Sequence, residues 1–161
     1  MAVIMQINIK PQIKGERGLP KKPVDSAFVS AAGVRGDFNL YRHEELEDDP
    51  DSALLIIPIE TIRALNSEGW PIEPGDLGEN LTTSGLPYDS LAVGKVFSAG
   101  GVRFQISRAC DPCDNLFHLP YVGRLKGPQF LKTMLGRRGW YAKVLKEGRI
   151  RTKDQITPAE I

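Results

Sequence analysis

The chain has 161 residues, 41% of them hydrophobic and 25% charged, which is typical of a soluble globular protein and predicts a single domain. Its 21 basic and 20 acidic residues nearly cancel, so the formal net charge of +1 indicates neither a nucleic-acid binder nor a membrane-surface protein. There is no run of roughly 20 apolar residues and no signal-peptide pattern, so we expect a cytoplasmic location and no membrane segment.

The N-terminal third alternates short strand patterns with loops. The β-branched run Val3–Ile9 predicts a strand, and the Pro-, Gly- and Lys-rich segment Lys10–Pro23 predicts a loop or hairpin. A second strand is predicted over Val24–Ser30. The charge run Glu44–Asp51 is typical of a solvated loop.

The middle of the chain contains the clearest apolar patterns. The compact run Ala53–Pro58 predicts a buried strand, and the following "IETIRALNSEGW" has the helical spacing of a short helix. Turn residues then surround a small strand over Asn80–Ser84. The segment Leu91–Arg108 predicts a two-stranded hairpin that turns at its Gly100-Gly101 pair.

The C-terminal part adds a weak helix and two more strands. Gly127–Gly139 is weakly helical, and Trp140–Ile156 predicts a strand, a turn at Glu147-Gly148 and a second short strand. Many short strands with few helices predict a mostly-β, barrel-like fold with small helices added.

Both cysteines lie in "QISRACDPCDNLFHL". A structural zinc site would need four Cys or His ligands, but besides Cys110 and Cys113 the chain has only His43 and His118. A thioredoxin-like dithiol would need a βαβ setting, which the pattern lacks. A third interpretation is a single reactive or metal-binding thiolate, with Arg108 nearby. Two ordinary buried thiols remain the alternative.

Two glycine-containing segments are the other candidates for a binding site. In "PGDLGEN", Gly75 and Gly78 flank Asp76, and such glycines let the backbone approach an anion or simply form a tight turn. In "GVRGDFN", Arg35 between two glycines is a candidate phosphate contact or a surface arginine on a turn.

These segments occur together and in order, and the combination resembles a known family. "GVRGDFN", "ALLIIPIETIRAL", "PGDLGENLTTSGL", "LAVGKVFSAGGVRFQISRACDPC" and "GWYAKVLKEGRI" resemble the MOSC family, the domain like the C-terminal part of molybdenum cofactor sulfurases. The resemblance covers residues 4 to 156. It implies a β-barrel core with short helices in a stand-alone domain without the aminotransferase-like sulfurase part. Pyridoxal phosphate is therefore only a family-level association.

The resemblance also implies a cofactor and the residues that bind it. The cofactor is the molybdenum cofactor (molybdopterin), and Cys113 matches the thiolate that ligates molybdenum. The residues matched to the cofactor cleft, or placed beside it, are Gly78, Glu79, Asn80, Asp111, Arg35 and Arg108.

Three functions follow from the resemblance. Cys113 ligates molybdenum in a reductase of N-hydroxylated compounds, or it carries a persulfide for delivery to a metal centre. In the third, the chain is a non-catalytic cofactor-handling module. The first two imply a separate electron-donor or sulfur-donor protein, and the first also implies a small-molecule substrate.

Two departures from the family pattern stand out. Relatives have a His-Gly turn and an arginine before the apolar strand, where this chain has the acidic "RHEELEDDPDS". Either Arg42 and His43 take over part of that role, or the cleft is altered. Cys110 is an additional thiol, either a resolving partner for Cys113 or a packing residue.

Overall fold

The structure is a computed structural model that describes residues 1–161, and it is dominated by β-strands. The eleven strands are β1 (Val3–Ile9), β2 (Lys22–Val24), β3 (Ser26–Ser30), β4 (Gly33–Val34), β5 (Leu54–Pro58), β6 (Leu81–Ser84), β7 (Val96–Ala99), β8 (Val102–Ala109), β9 (Trp140–Lys146), β10 (Gly148–Arg151) and β11 (Ile156–Pro158). The three α-helices are α1 (Leu40–Glu44), α2 (Ile59–Ser67) and α3 (Gly123–Met134). Short 3₁₀ turns cover Pro50–Ser52, Tyr88–Ser90 and Asp114–His118.

The strands form one large mixed sheet and one small sheet. The large sheet has eight strands in the order β11-β7-β8-β9-β5-β6-β1-β2, and the small one has the order β10-β3-β4. Only β5 and β6 pair in parallel, because α2 and the glycine-containing loop connect them as a crossover. The prediction of a mostly-β fold with a few short helices is confirmed.

The predicted barrel is not closed by strand pairing. The end strands β11 and β2 do not pair with each other. The sheet nevertheless curls back on itself, because β1 also contacts the segment just before β11. Val3 forms a bridge with Gln155, and the Ile156 N–H donates to the Ala2 carbonyl at 2.8 Å.

Strand β5 separates two hydrophobic cores, and all five of its residues are buried. Leu54 and Ile56 belong to the core enclosed by the sheets, whereas Ile57 packs with α2 and α3 in the second core. Leu55 packs with Cys110 and Tyr141 in a third, small cluster. The apolar run is thus explained by burial on both faces, as its composition predicts.

Several boundaries differ from the predictions. The strand expected over Val24–Ser30 is split at Asp25 between the two sheets. Helix α3 begins four residues before the predicted Gly127 and ends at Met134. Helix α1 was not predicted, because its only strong local signal is the Asn39 side chain, which accepts the N–H of Arg42 at 2.9 Å.

Candidate functional site

A polar cleft brings the predicted thiols and the glycine-containing loop together. It lies where the ends of β5, β8 and β9 meet the loops that precede α1 and β6. The lining residues are Lys21, Asp37, Asn39, Tyr41, Arg42, Ser52, Leu55, Gly78, Asn80, Cys110, Asp111, Cys113, Asn115, Arg138 and Tyr141.

The two thiols occupy different environments in this cleft. Cys110 is buried against Leu55 and Tyr141, and its N–H donates to the Gly139 carbonyl at 2.8 Å. Cys113 is half-buried and precedes the 3₁₀ turn, where its carbonyl accepts the Leu116 N–H at 3.2 Å. The structure therefore presents Cys113 to the cleft and packs Cys110 into its wall.

Burial dominates the protonation of Cys113. It raises the pKa of the Cys113 thiol, although the Asn115 N–H and the positive charge of Arg138 oppose this increase. The thiol is therefore neutral near pH 7 in the absence of a bound metal. Metal binding would have to displace its proton.

The "GDLGEN" segment is held by internal hydrogen bonds. The buried Glu79 carboxylate accepts the Gly75 N–H at 2.6 Å and the Thr82 hydroxyl at 2.9 Å. The Lys21 N–H donates to the Gly75 carbonyl at 2.8 Å. Glu79 is thus a support behind the loop, and Gly78, at a φ of +81°, is the loop residue that faces the cleft with Asn80.

Asn80 and Asp37 form a rigid part of the cleft wall. The Asn80 side-chain oxygen accepts the Leu55 N–H at 3.1 Å, and its amide nitrogen donates to Asp37 at 2.8 Å. The other Asp37 oxygen accepts from the Lys21 ammonium at 2.6 Å. Burial lowers the pKa of Lys21 and Asp37 opposes that decrease. Asn80 therefore positions Asp37, because both of its polar groups are already bonded.

Arg138 is the most unusual residue of the lining. It is only 4% exposed, and its buried Nε and Nη1 have no hydrogen-bond partner. Burial lowers the pKa of the Arg138 guanidinium, but the neighbouring Cys110 and Tyr141 side chains contribute to a net increase. The cleft thus contains a buried cation with free donors.

The predicted site residues fall into three groups. Gly78, Asn80, Asp111 and Cys113 line the cleft together. The two residues just outside it are Glu79, behind the loop, and Arg108, whose guanidinium donates to the Ser52 hydroxyl and lies 5.4 Å from the centroid of the Tyr141 ring.

The remaining predicted residues lie away from the cleft. Arg35 is exposed, and its guanidinium carbon lies 4.1 Å from the centroid of the Phe28 ring. His43 is also exposed and bonds to Asp48 at 2.6 Å, so that only Arg42 of the two proposed replacements lines the cleft.

Sequence reasoning missed most of the charged lining. In "GVRGDFN" the cleft residues are Asp37 and Asn39, whereas the prediction selected Arg35. The available signal was the polar pair at the end of that turn. Lys21 and Arg138 each lie in a loop with no periodic pattern, so nothing in the local sequence indicates their burial.

Two observations concern metals and membranes. No group of three or more His, Cys, Asp or Glu side chains is placed to hold a metal ion. No helix has both the length and the apolar character needed to cross a bilayer.

The fold and the site together define a β-dominated protein with a thiol at the edge of a polar cleft. The MOSC domain family model matches residues 43–157, and the chain belongs to that family. MOSC domains are associated, as a family, with molybdenum-cofactor binding.

Two curated proteins show the range of sequence similarity. The uncharacterized protein YflK of Bacillus subtilis (strain 168) is 29% identical over 171 residues, covering 91% of this chain and 68% of that protein. A protein named "Reductase" from Gibberella moniliformis is 34% identical over 89 residues, which is 53% of this chain but only 15% of that protein.

Solved structures share the fold over almost the whole chain. YiiM from Geobacillus stearothermophilus superposes with a TM-score of 0.74 at 27% identity, covering 99% of this chain and 76% of that one. The YUAD protein from Bacillus subtilis gives a TM-score of 0.80 at 23% identity, covering 97% of this chain and 94% of that one. The resemblance to YUAD shows the fold alone.

Proposed function

We propose that the chain binds the molybdenum cofactor in this cleft, with Cys113 as the metal ligand, and reduces N-hydroxylated compounds. One observation carries the proposal: in a MOSC chain, Cys113 shares a half-enclosed polar cleft with Gly78 and Asn80. These residues are far apart in sequence, and they come from two of the three segments that resemble the family most specifically.

The donor groups of the cleft fit such a cofactor. Because no cluster of three protein ligands exists, a metal here would have to bring ligands of its own, as a cofactor-bound metal does. Cys113 offers one soft thiolate. The amides of Asn39 and Asn115 line the same cleft and suit a polar heterocycle. When bound, the cofactor supplies two-electron chemistry.

The residues of the chain would bind the cofactor and shield it from solvent. Leu55, Cys110 and Tyr141 pack together in the wall of the cleft that also contains Cys113. The buried Asp37–Lys21 pair lines the same cleft. Tyr41 also lines the cleft, and burial, followed by the neighbouring Cys113, raises the pKa of its phenol. Tyr41 therefore remains a hydrogen-bond donor near pH 7.

A reductase is favoured over a sulfur carrier by the relative named "Reductase", although this chain matches a small part of that protein. The electrons would come from a separate donor protein, and the substrate would be a small molecule that enters beside Asp111 at the exposed side of the cleft.

The decisive experiment measures metal and pterin in protein purified from cells that make the cofactor. We expect stoichiometric molybdenum and pterin in the wild type, loss of molybdenum in Cys113→Ser, and retention in the matched control Cys110→Ser. Reduction of an amidoxime by the loaded protein, with a reduced viologen dye as the electron source, would then test the reaction. A persulfide on Cys113 without metal would instead identify a sulfur carrier. Neither metal nor persulfide in a folded wild type would contradict both.

A further inference from the structure

Arg138 has a fixed place in the buried wall of the cleft. It lies in the turn before β9, where Gly139 has a φ of +109° and its carbonyl accepts the Cys110 N–H at 2.8 Å. A Cβ at position 139 would approach Ile57 within 2.7 Å, so the turn is tightly packed. The guanidinium is thus held by a rigid backbone.

The structure gives this guanidinium no matching anion. Its Nε and Nη1 are buried without a hydrogen-bond partner. The charge of Glu79 acts on Arg138, but one Glu79 oxygen bonds to Gly75 and Thr82, and the other has no partner. No hydrogen bond therefore joins Arg138 to Glu79.

The cleft offers Arg138 no free counter-charge. Asp37 is paired with Lys21, and Arg42 is a second cation, whose guanidinium donates to the Ala32 carbonyl and whose buried Nε also has no partner. Asp111 is exposed to solvent, which screens its charge. An unpaired buried charge is strongly destabilising, so its retention in a structured wall indicates a partner that arrives with a ligand.

We propose that Arg138 forms an oxyanion-binding subsite in the buried wall of the cleft, one that takes a phosphate- or sulfate-type group. A guanidinium is planar and always charged, and it presents paired donors that match such groups in a bidentate manner. The amides of Asn39 and Asn115 face the same space as additional donors. The subsite does not depend on molybdenum binding, because none of these residues is the proposed metal ligand.

The test uses the full chain purified from cells that do not make the pterin cofactor. Thermal unfolding is followed in inorganic phosphate, sulfate and glycerol phosphate, against chloride at matched ionic strength. For the wild type we expect Tm to rise by roughly 5–10 °C at a concentration about 100-fold above Kd. Tighter binding of the inorganic ions would indicate a free oxyanion, and tighter binding of glycerol phosphate would indicate a group carried on a larger molecule.

Arg138→Met separates a binding role from a structural one. It should abolish the oxyanion-specific rise while leaving Tm in chloride equal to or above that of the wild type, because an unpaired buried charge is removed. Arg137→Met is the matched control, since Arg137 pairs with Glu68 at the surface, and it should keep the rise. The comparison between variants also cancels the general stabilisation that sulfate gives to most proteins.

Two results would overturn the proposal. They are no oxyanion-specific rise of Tm in the wild type, and an equal rise in the wild type and in a folded Arg138→Met. If Arg138→Met does not fold, Arg138→Lys decides the matter by isothermal titration. Lysine keeps the positive charge but lacks the paired N–H donors of a guanidinium. We therefore expect the affinity for phosphate to fall about tenfold or more. Unchanged affinity in Arg138→Lys would refute a guanidinium subsite.

Discussion

Lys21 and Asp37 form a buried ion pair in the cleft wall, with 2.6 Å between Nζ and Oδ1 and side-chain exposures of 1% and 7%. Asp37 also accepts the Asn80 amide and the Lys10 N–H, so it connects four separate parts of the chain. Such a pair gives little net stability compared with apolar packing. Removing one partner, however, leaves the other charge buried without a counter-charge.

We therefore expect Asp37→Ala to destabilise the protein by about 3–5 kcal/mol, because it leaves the Lys21 ammonium buried without a counter-charge. Urea unfolding followed by circular dichroism measures this change. Glu68→Gln, which breaks the exposed pair with Arg137, should have a much smaller effect. Similar losses in the two variants would show that the Lys21–Asp37 pair is not effectively buried.

Glu79 should make stability depend on pH. Burial raises the pKa of its carboxyl above the usual 4.5. The native state then binds more protons than the unfolded state between pH 4.5 and the raised pKa, so its contribution is fully present below 4.5 and is lost as pH rises through that window. Glu79→Gln should remove this loss, so the free energy of unfolding of the wild type minus that of the variant should fall with rising pH. A constant difference would show that the pKa of Glu79 is the same in the native and unfolded states.

Gly75 should not tolerate a side chain. Its φ is +95°, and a Cβ would lie 2.5 Å from the Lys21 carbonyl oxygen. Gly75→Ala adds this backbone clash to conformational strain of about 1–2 kcal/mol. Gly94→Ala is the matched control, because Gly94 has a φ of +89° with no atom within 4 Å of the added Cβ. The midpoint of urea unfolding should fall clearly further for Gly75→Ala than for Gly94→Ala. Equal decreases would mean that the positive φ alone causes the loss of stability.

The second core supports the segment that carries Cys113. Phe130 in α3 is fully buried, with its ring centroid 4.6 Å from that of Trp70. Phe130→Ala should reduce the free energy of unfolding by about 3–5 kcal/mol. Leu125→Ala in the same helix should be nearly neutral, since Leu125 is 98% exposed. A neutral Phe130→Ala would indicate that the second core is loosely packed.

The elements that could be predicted from the sequence are those with strong local patterns. The run around Leu54–Pro58, the hairpin turning at Gly100 and the strand Val3–Ile9 match the structure closely. Their signals are alternation, β-branched residues and glycine turns, which act over a few neighbouring residues. The division of the predicted strand at Asp25 arises because β2 and β3 belong to different sheets. No pattern in the neighbouring residues indicates it.

The candidate site was predictable only in part, for the same reason. Cys113, Gly78 and Asn80 are in motifs, and the structure brings them together. Arg138 and Lys21 owe their importance to burial by segments far away in sequence. A basic residue in a loop is usually exposed, so sequence reasoning places such residues on the surface.

The contact of β1 with the segment before β11 has a consequence for the order of folding. Strand β1 pairs with the nearby β2, but its other partners, β6 and Gln155, lie much further along the sequence. Until these arrive, one edge of β1 presents unpaired backbone groups, which invite pairing with other chains. We expect refolding to be slow for a chain of this size and its yield to fall as concentration rises, because sheet closure must join segments that are far apart in sequence.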